Sequence, residues 1–194
     1  SSNREVKMQI SARYQAVYEL LVEIFKDEKP ADNIINDYLR RRKYIGSKDR
    51  RFITDTVWNI IRRRMRLEFE ACSKSPRMVL LCYLKNEDFD IAADGTQYGL
   101  APVTKDEKAQ LKNLNNEVYP DYAGLECPEW LYKKINNDAL LQAMQHPAPV
   151  DLRVNMADRR EVKNRLKNEG LFFANTPYSP LGLRSEERVN LNNC

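Results

Sequence analysis

The chain has one histidine, His146, and four cysteines, Cys72, Cys82, Cys127 and Cys194, none of them spaced as CxxC. A zinc site needs clustered Cys and His ligands, so no metal is expected here. A Ser-His or Cys-His nucleophilic pair would have only His146 as its base, and that residue stands beside Pro147 in a segment that reads as a turn. The four thiols read most simply as reduced, small apolar residues, with Cys82 inside an apolar run. Glycine is scarce, at six residues, and no GxGxxG, GxxxxGK, GxSxG or HExxH pattern occurs. The commonest phosphate-cradling, hydrolase and metalloprotease signatures are therefore missing. No stretch reaches the length of an apolar membrane span, and the first thirty residues lack the order of a signal peptide. A cytoplasmic location is the expectation.

What the chain does have is apolar content suited to folding: 42% hydrophobic residues against 31% charged, which is the balance of a globular protein rather than a disordered one. Its 194 residues suffice for one ordinary domain or two small ones. The modest net charge of +4 conceals a strong asymmetry, because Arg40 to Arg66 holds eleven basic residues against Asp49 and Asp55, a net +9 that leaves −5 for the rest. One strongly cationic end is predicted, and such a field draws polyanions, with RNA and DNA leading. Arginines on helices are often merely solvated or paired at i±4, but Arg62, Arg63, Arg64 and Arg66 have only Glu68 and Glu70 nearby. Most of these guanidinium groups, whose forked donors suit phosphate, are expected to remain free.

Apolar spacing predicts an amphipathic helix from Gln9 to Phe25, then a second opened by Pro30 and carrying Ile34, Ile35, Tyr38 and Leu39. Gly46 ends that segment, Ser47 is a plausible N-cap, and Phe52, Val57, Ile60, Ile61 and Leu67 mark a long third helix. A fourth begins near Pro76 and is so continuously apolar that it should be the central element. Residues 86 to 102 lose periodicity and read as a long surface loop. Thr104-Lys-Asp-Glu107 is a capping box, expected to start a short helix bearing Leu111 and Leu114. Pro120 to Cys127 reads as a linker, and Pro128 opens another helix running toward Met144.

After Pro149 the pattern changes to period two, with Val150, Leu152 and Val154 alternating with Asp151, Arg153 and Asn155, as in a half-buried strand. Asp158 then caps a helix that stops at Gly170, and Leu171 to Phe173 reads as a second strand, completing a strand-helix-strand crossover. Further strands are expected at Leu183-Arg184 and around Val189 to Leu191.

Gly46-Ser-Lys-Asp-Arg-Arg51, followed by Val57 and Arg62-Arg-Arg64, resembles the N-terminal helical domain of the bacterial Sun-type (Fmu-type) RNA cytosine-C5 methyltransferases, a domain itself similar to the NusB antitermination factor. Pro128-Glu-Trp-Leu131, Pro147-Ala-Pro-Val-Asp-Leu-Arg-Val-Asn155 and Thr176-Pro-Tyr-Ser-Pro-Leu-Gly-Leu-Arg184 resemble the small RRM-like domain that precedes the catalytic domain in that family. The resemblance covers nearly the whole chain in the correct order. It departs between Leu84 and Pro128, where this chain has a loop and one short helix in place of more helices.

The resemblance implies a mainly α fold: a NusB-like helical bundle over 1–123, including the loop 86–102, then a truncated α+β (ferredoxin/RRM-like) domain over 124–194. It implies methylation of cytosine carbon 5 in RNA, typically ribosomal RNA, with S-adenosylmethionine. The family's catalytic cysteines lie in Pro-Cys and Thr-Cys contexts that this chain lacks, so no catalytic, cofactor-binding or metal-binding residue carries over. Ser1 in place of Met and the abrupt end at Cys194 suggest a fragment, inactive alone, whose partners are RNA and the methyltransferase domain in cis. The expected RNA-binding residues are Arg40, Arg41, Arg42, Lys43, Lys48, Arg50, Arg51, Arg62, Arg63, Arg64 and Arg66, with Arg153 and Asn155 implied by the resemblance. The alternatives are a non-enzymatic antitermination-type RNA and protein-binding factor, and a helical module that meets an acidic partner.

Overall fold

The computed structural model describes residues 8–113, 119–187 and 189, which form eleven helices and three strands in two compact units, 1–141 and 142–194. The protein is mainly helical with a small antiparallel sheet. No helix among the described residues is long and apolar enough to cross a membrane.

In the first unit α1 (Ile10–Ile24) buries Tyr14, Val17, Leu20, Leu21 and Ile24, the stripe that three-and-four spacing demands. It packs on α3 (Ser47–Ile61), which contributes Ile53, Val57 and Ile60, and on α5 (Pro76–Tyr83). Met78 through Cys82 of α5 are all buried, as their unbroken apolar run predicts for a central helix. Each fully buried Leu or Ile stabilises the unit by about 1.5–3 kcal/mol before entropy is counted. α1 and α3 run parallel, because Arg13 meets Asp49 near their starts while Arg64, just past α3, meets Asp27, just past α1. α2 (Ala31–Arg41) lies against α1, with Tyr38 reaching back to Glu19.

The single long third helix of the sequence reading is broken. α3 stops at Ile61 and α4 (Arg64–Glu70) restarts beyond Arg63. Such a break frees backbone amides, and those of Met65 and Arg66 donate to the carboxylate of Glu126 at 2.9 and 3.0 Å. Glu126 thus caps α4 from a distant part of the chain. It sits just past α8 (Asp121–Gly124), a one-turn helix packed on α4, so the stretch expected to be a linker is part of the unit. The region 86–102 is likewise no simple surface excursion. It holds α6 (Phe89–Ala92), and Ala92, Ala93 and Leu100 are buried. The buried Ser11 hydroxyl accepts from the amides of Leu100 and Asp94, fastening this segment onto the first turn of α1.

The capping box forms at the start of α7 (Lys105–Lys112), where Glu107 also takes the Arg77 guanidinium at 2.6 Å. Leu114 lies outside the described residues. The helix opened by Pro128 is two helices, α9 (Glu129–Ile135) and α10 (Asp138–Met144). Asn136 ends α9 in the left-handed region at φ 43°, and the Asn137 carboxamide accepts from the Leu140 amide to begin α10. α9 packs on α8, and α8 on α4, and the two compact units divide after Leu141.

In the second unit β1 (Val150–Arg153) and β2 (Ala174–Asn175) flank β3 (Gly182–Ser185), and both run antiparallel to it. β1 and β2 are therefore mutually parallel but not adjacent, so the expected crossover exists with β3 inserted between its strands. α11 (Arg159–Asn168) is capped by Asp158 and closes in a Schellman arrangement, with the amides of Gly170 and Leu171 donating to the carbonyls of Lys167 and Leu166. Val154, Leu166, Phe173 and Leu183 form the small core. Phe173 is buried as a strand residue would be, yet the paired strand starts at Ala174, three residues later than expected and just past Phe173. Val189 packs against this core outside any strand, and the rest of the strand expected to Leu191 lies outside the described residues.

Candidate nucleic-acid interface

The arginine-rich segment divides into side chains that build the fold and side chains that face water. At the α2–α3 corner, Arg50 donates from Nε to the Ile45 carbonyl at 2.8 Å and from its guanidinium to the Arg42 carbonyl at 3.1 Å. It ties the turn together. Arg42 lies 3.6 Å from the centroid of the Tyr38 ring and pairs with Glu19 at 3.3 Å, while the Tyr38 hydroxyl donates to the same carboxylate at 2.6 Å. Burial, and then Glu19, hold that phenol well above its ordinary range. Arg64 is fixed on three sides, by Glu68 at 2.7 Å, Asp27 at 3.1 Å and the Phe25 ring at 3.9 Å. Arg42, Arg50 and Arg64, expected to contact RNA, are thus engaged within the unit.

The others remain outward. Arg40 is 77% exposed, with Asp37 at 2.7 Å, and Arg51 is 73% exposed, with Asp55 at 3.6 Å. Such exposed pairs contribute about 0–1 kcal/mol and exchange readily for an external anion. Arg62 donates to the Asn59 side chain at 3.2 Å. Among the described residues Arg41, Lys43, Lys48 and Arg63 are exposed, and their side chains make no hydrogen bond or ion pair. Arg66 is half-buried near Glu126.

These cations do not form one cationic end. Arg40, Arg41, Lys43, Lys48 and Arg51 gather at the corner where α3 begins, whereas Arg62 and Arg63 follow its far end. At 1.5 Å of rise per residue, Lys48 and Arg62 stand about 20 Å apart along the helix. That separation spans several phosphates of a nucleic-acid strand, so both patches can serve one extended polyanion.

No family model, curated protein or solved structure matches this chain. Its site is therefore defined by its own geometry. In the second unit Arg153 is exposed on β1 opposite Gly182, beside the bidentate Arg184–Asp151 pair at 2.7 Å, and Asn155 is exposed just beyond the strand.

The Cys82 thiol is buried and pushed up to about 12, by desolvation and then by Glu70, so it stays protonated at neutral pH. Among the described residues no group of three or more His, Cys, Asp or Glu side chains could hold a metal ion. Two features escaped the sequence reading. Tyr44 and Tyr98 are exposed on one groove, for which the only sequence signal was an aromatic residue closing the run Arg40 to Lys43. Glu126 had no local signal at all, since the amides it caps are some sixty residues away.

Proposed function

We propose that this chain is an RNA-engaging module that positions RNA, ribosomal in the first instance, for an S-adenosylmethionine-dependent cytosine-C5 methyltransferase domain in the same protein. The observation that carries this reading is the exposed set Arg41, Lys43, Lys48 and Arg63, left unpaired among the described residues while neighbouring arginines are consumed in ion pairs. Unpaired cations at fixed positions on a packed helical scaffold neutralise phosphates and set the register of a strand without reading its sequence. The ordered resemblance of residues 46–64 and 128–184 to the methyltransferase family adds the reaction class. On this reading the first unit corresponds to a NusB-like bundle. The second, with an antiparallel strand inserted into its crossover, is half of a ferredoxin-like or RRM-like domain.

The test is fluorescence anisotropy of the full chain on a ribosomal RNA stem-loop between 50 and 200 mM salt. Four phosphate contacts weaken binding about 100-fold over that range, since each contributes about −0.9 to the logarithmic salt slope. The pairs Arg41→Glu/Lys43→Glu and Arg62→Glu/Arg63→Glu should each lower affinity and flatten the slope. Unchanged affinity and slope in both variants would reject the surface. No binding even at 50 mM salt would reject RNA as the partner and favour an acidic protein.

A further inference from the structure

On the first unit, α1, the α2–α3 corner and residues 96–101 enclose an open groove of about 1140 Å³. Its rim carries Tyr44 and Tyr98, which are 75% and 74% exposed. Among the described residues neither ring stacks on another ring or on a cation, and neither hydroxyl makes a hydrogen bond. Tyr38 on the same groove is the contrast: Arg42 covers its face and Glu19 takes its hydroxyl. Ala12, Ala16 and Ile45 supply an apolar lining. Among the described residues that line it the one carboxylate, Glu19, is answered by Arg42, Tyr38 and Gln15. Lys43 directly precedes Tyr44 in the chain and Arg41 stands three residues before it; both are exposed and unpaired among the described residues, beside the groove rather than in its lining.

Two uncovered aromatic faces, with free cations within three residues of Tyr44 along the chain, match the chemistry of an unpaired strand, whose bases stack and whose phosphates need neutralising. We infer that the groove takes unpaired nucleotides, with one base on Tyr44, another on Tyr98, and the phosphates toward Arg41 and Lys43. This rests on the nucleic-acid reading above and deepens it, because phosphate contacts alone do not distinguish a duplex from a single strand.

The full chain is titrated with an oligouridine of about ten residues and with an abasic strand of equal phosphate count. Tyr44→Ala and Tyr98→Ala should each weaken oligouridine binding about ten-fold, the usual effect of losing one stacked base. Tyr44→Phe and Tyr98→Phe should retain it, and the alanine variants should bind the abasic strand as the parent does. Thermal melts of these exposed-site variants show whether the fold is intact. Alanine variants that bind oligouridine like the parent, or that lose both strands equally, overturn the inference. If the stem-loop binds but oligouridine does not, only this inference fails. If neither binds, the RNA reading falls with it, and affinity for an acidic peptide would identify the groove's occupant as protein.

Discussion

Asp49 is 3% exposed at the start of α3, where it accepts the Met8 amide at 3.2 Å and pairs with Arg13, which is itself largely buried. The pair meets as opposed charges rather than through an aligned hydrogen bond, and Arg13 Nε has no hydrogen-bond partner among the described residues. Asp49→Ala would leave the guanidinium buried without its counter-charge. Breaking a buried pair from one side costs about 3–5 kcal/mol. Arg13 keeps its contact with the Phe52 ring, 5.0 Å from the centroid, which places the expected loss at the lower end, about 3 kcal/mol. For a protein of this size 1 kcal/mol moves Tm by about 2–4 °C, so melting followed by far-ultraviolet circular dichroism should fall by about 6–12 °C. The double variant Arg13→Met/Asp49→Leu removes both charges and should recover at least half of that. A single variant that melts within about 2 °C of the parent, or a double variant less stable than the single, would refute the reasoning.

Burial raises the Glu126 carboxyl to about 7 from its ordinary 4.5, outweighing the two amides that favour its ionised form. The folded state therefore holds this proton more tightly, and the associated stability is full below the ordinary value and lost as pH rises through about 7. Melting of the parent relative to Glu126→Gln should decline between pH 5 and 8; a flat difference refutes it. Glu107 behaves oppositely, because Arg77 and the Thr104 amide hold its carboxyl below the ordinary value, so its contribution disappears only as pH falls through that lowered pKa. Thr104→Ala removes one half of the capping box and should cost about 1 kcal/mol in urea unfolding, whereas Thr104→Ser should be near neutral. A Cβ on Gly182 would sit against the Thr176 side chain, with Oγ1 and Cβ both inside contact distance, so Gly182→Ala should destabilise the second unit by about 1–3 kcal/mol. Thr176→Ala should restore part of that loss, and equal stability of the single and double variants would count against the clash.

The features legible from residues alone are those decided within a few positions of themselves. The stripe of α1, the all-apolar α5, the Thr104–Glu107 box, the Asp158 cap, the Gly170 stop and the alternation of β1 each depend on neighbours one to four residues away. Partners brought from afar decided the rest. Arg42 and Arg64 look as free as Arg41 and Arg63 in a list of charges. Glu19 and Asp27, both on or just past α1, remove them from the surface. The amides opened by the break between α3 and α4 are capped by Glu126, and the order β1-β3-β2 depends on a hairpin partner that periodicity cannot assign. Charge composition thus carries only the expectation of a polyanionic ligand, because attraction to a polyanion depends on how many cations there are. Which cations and which tyrosines remain available was settled by packing, because desolvation and ion pairing act through space and not along the chain.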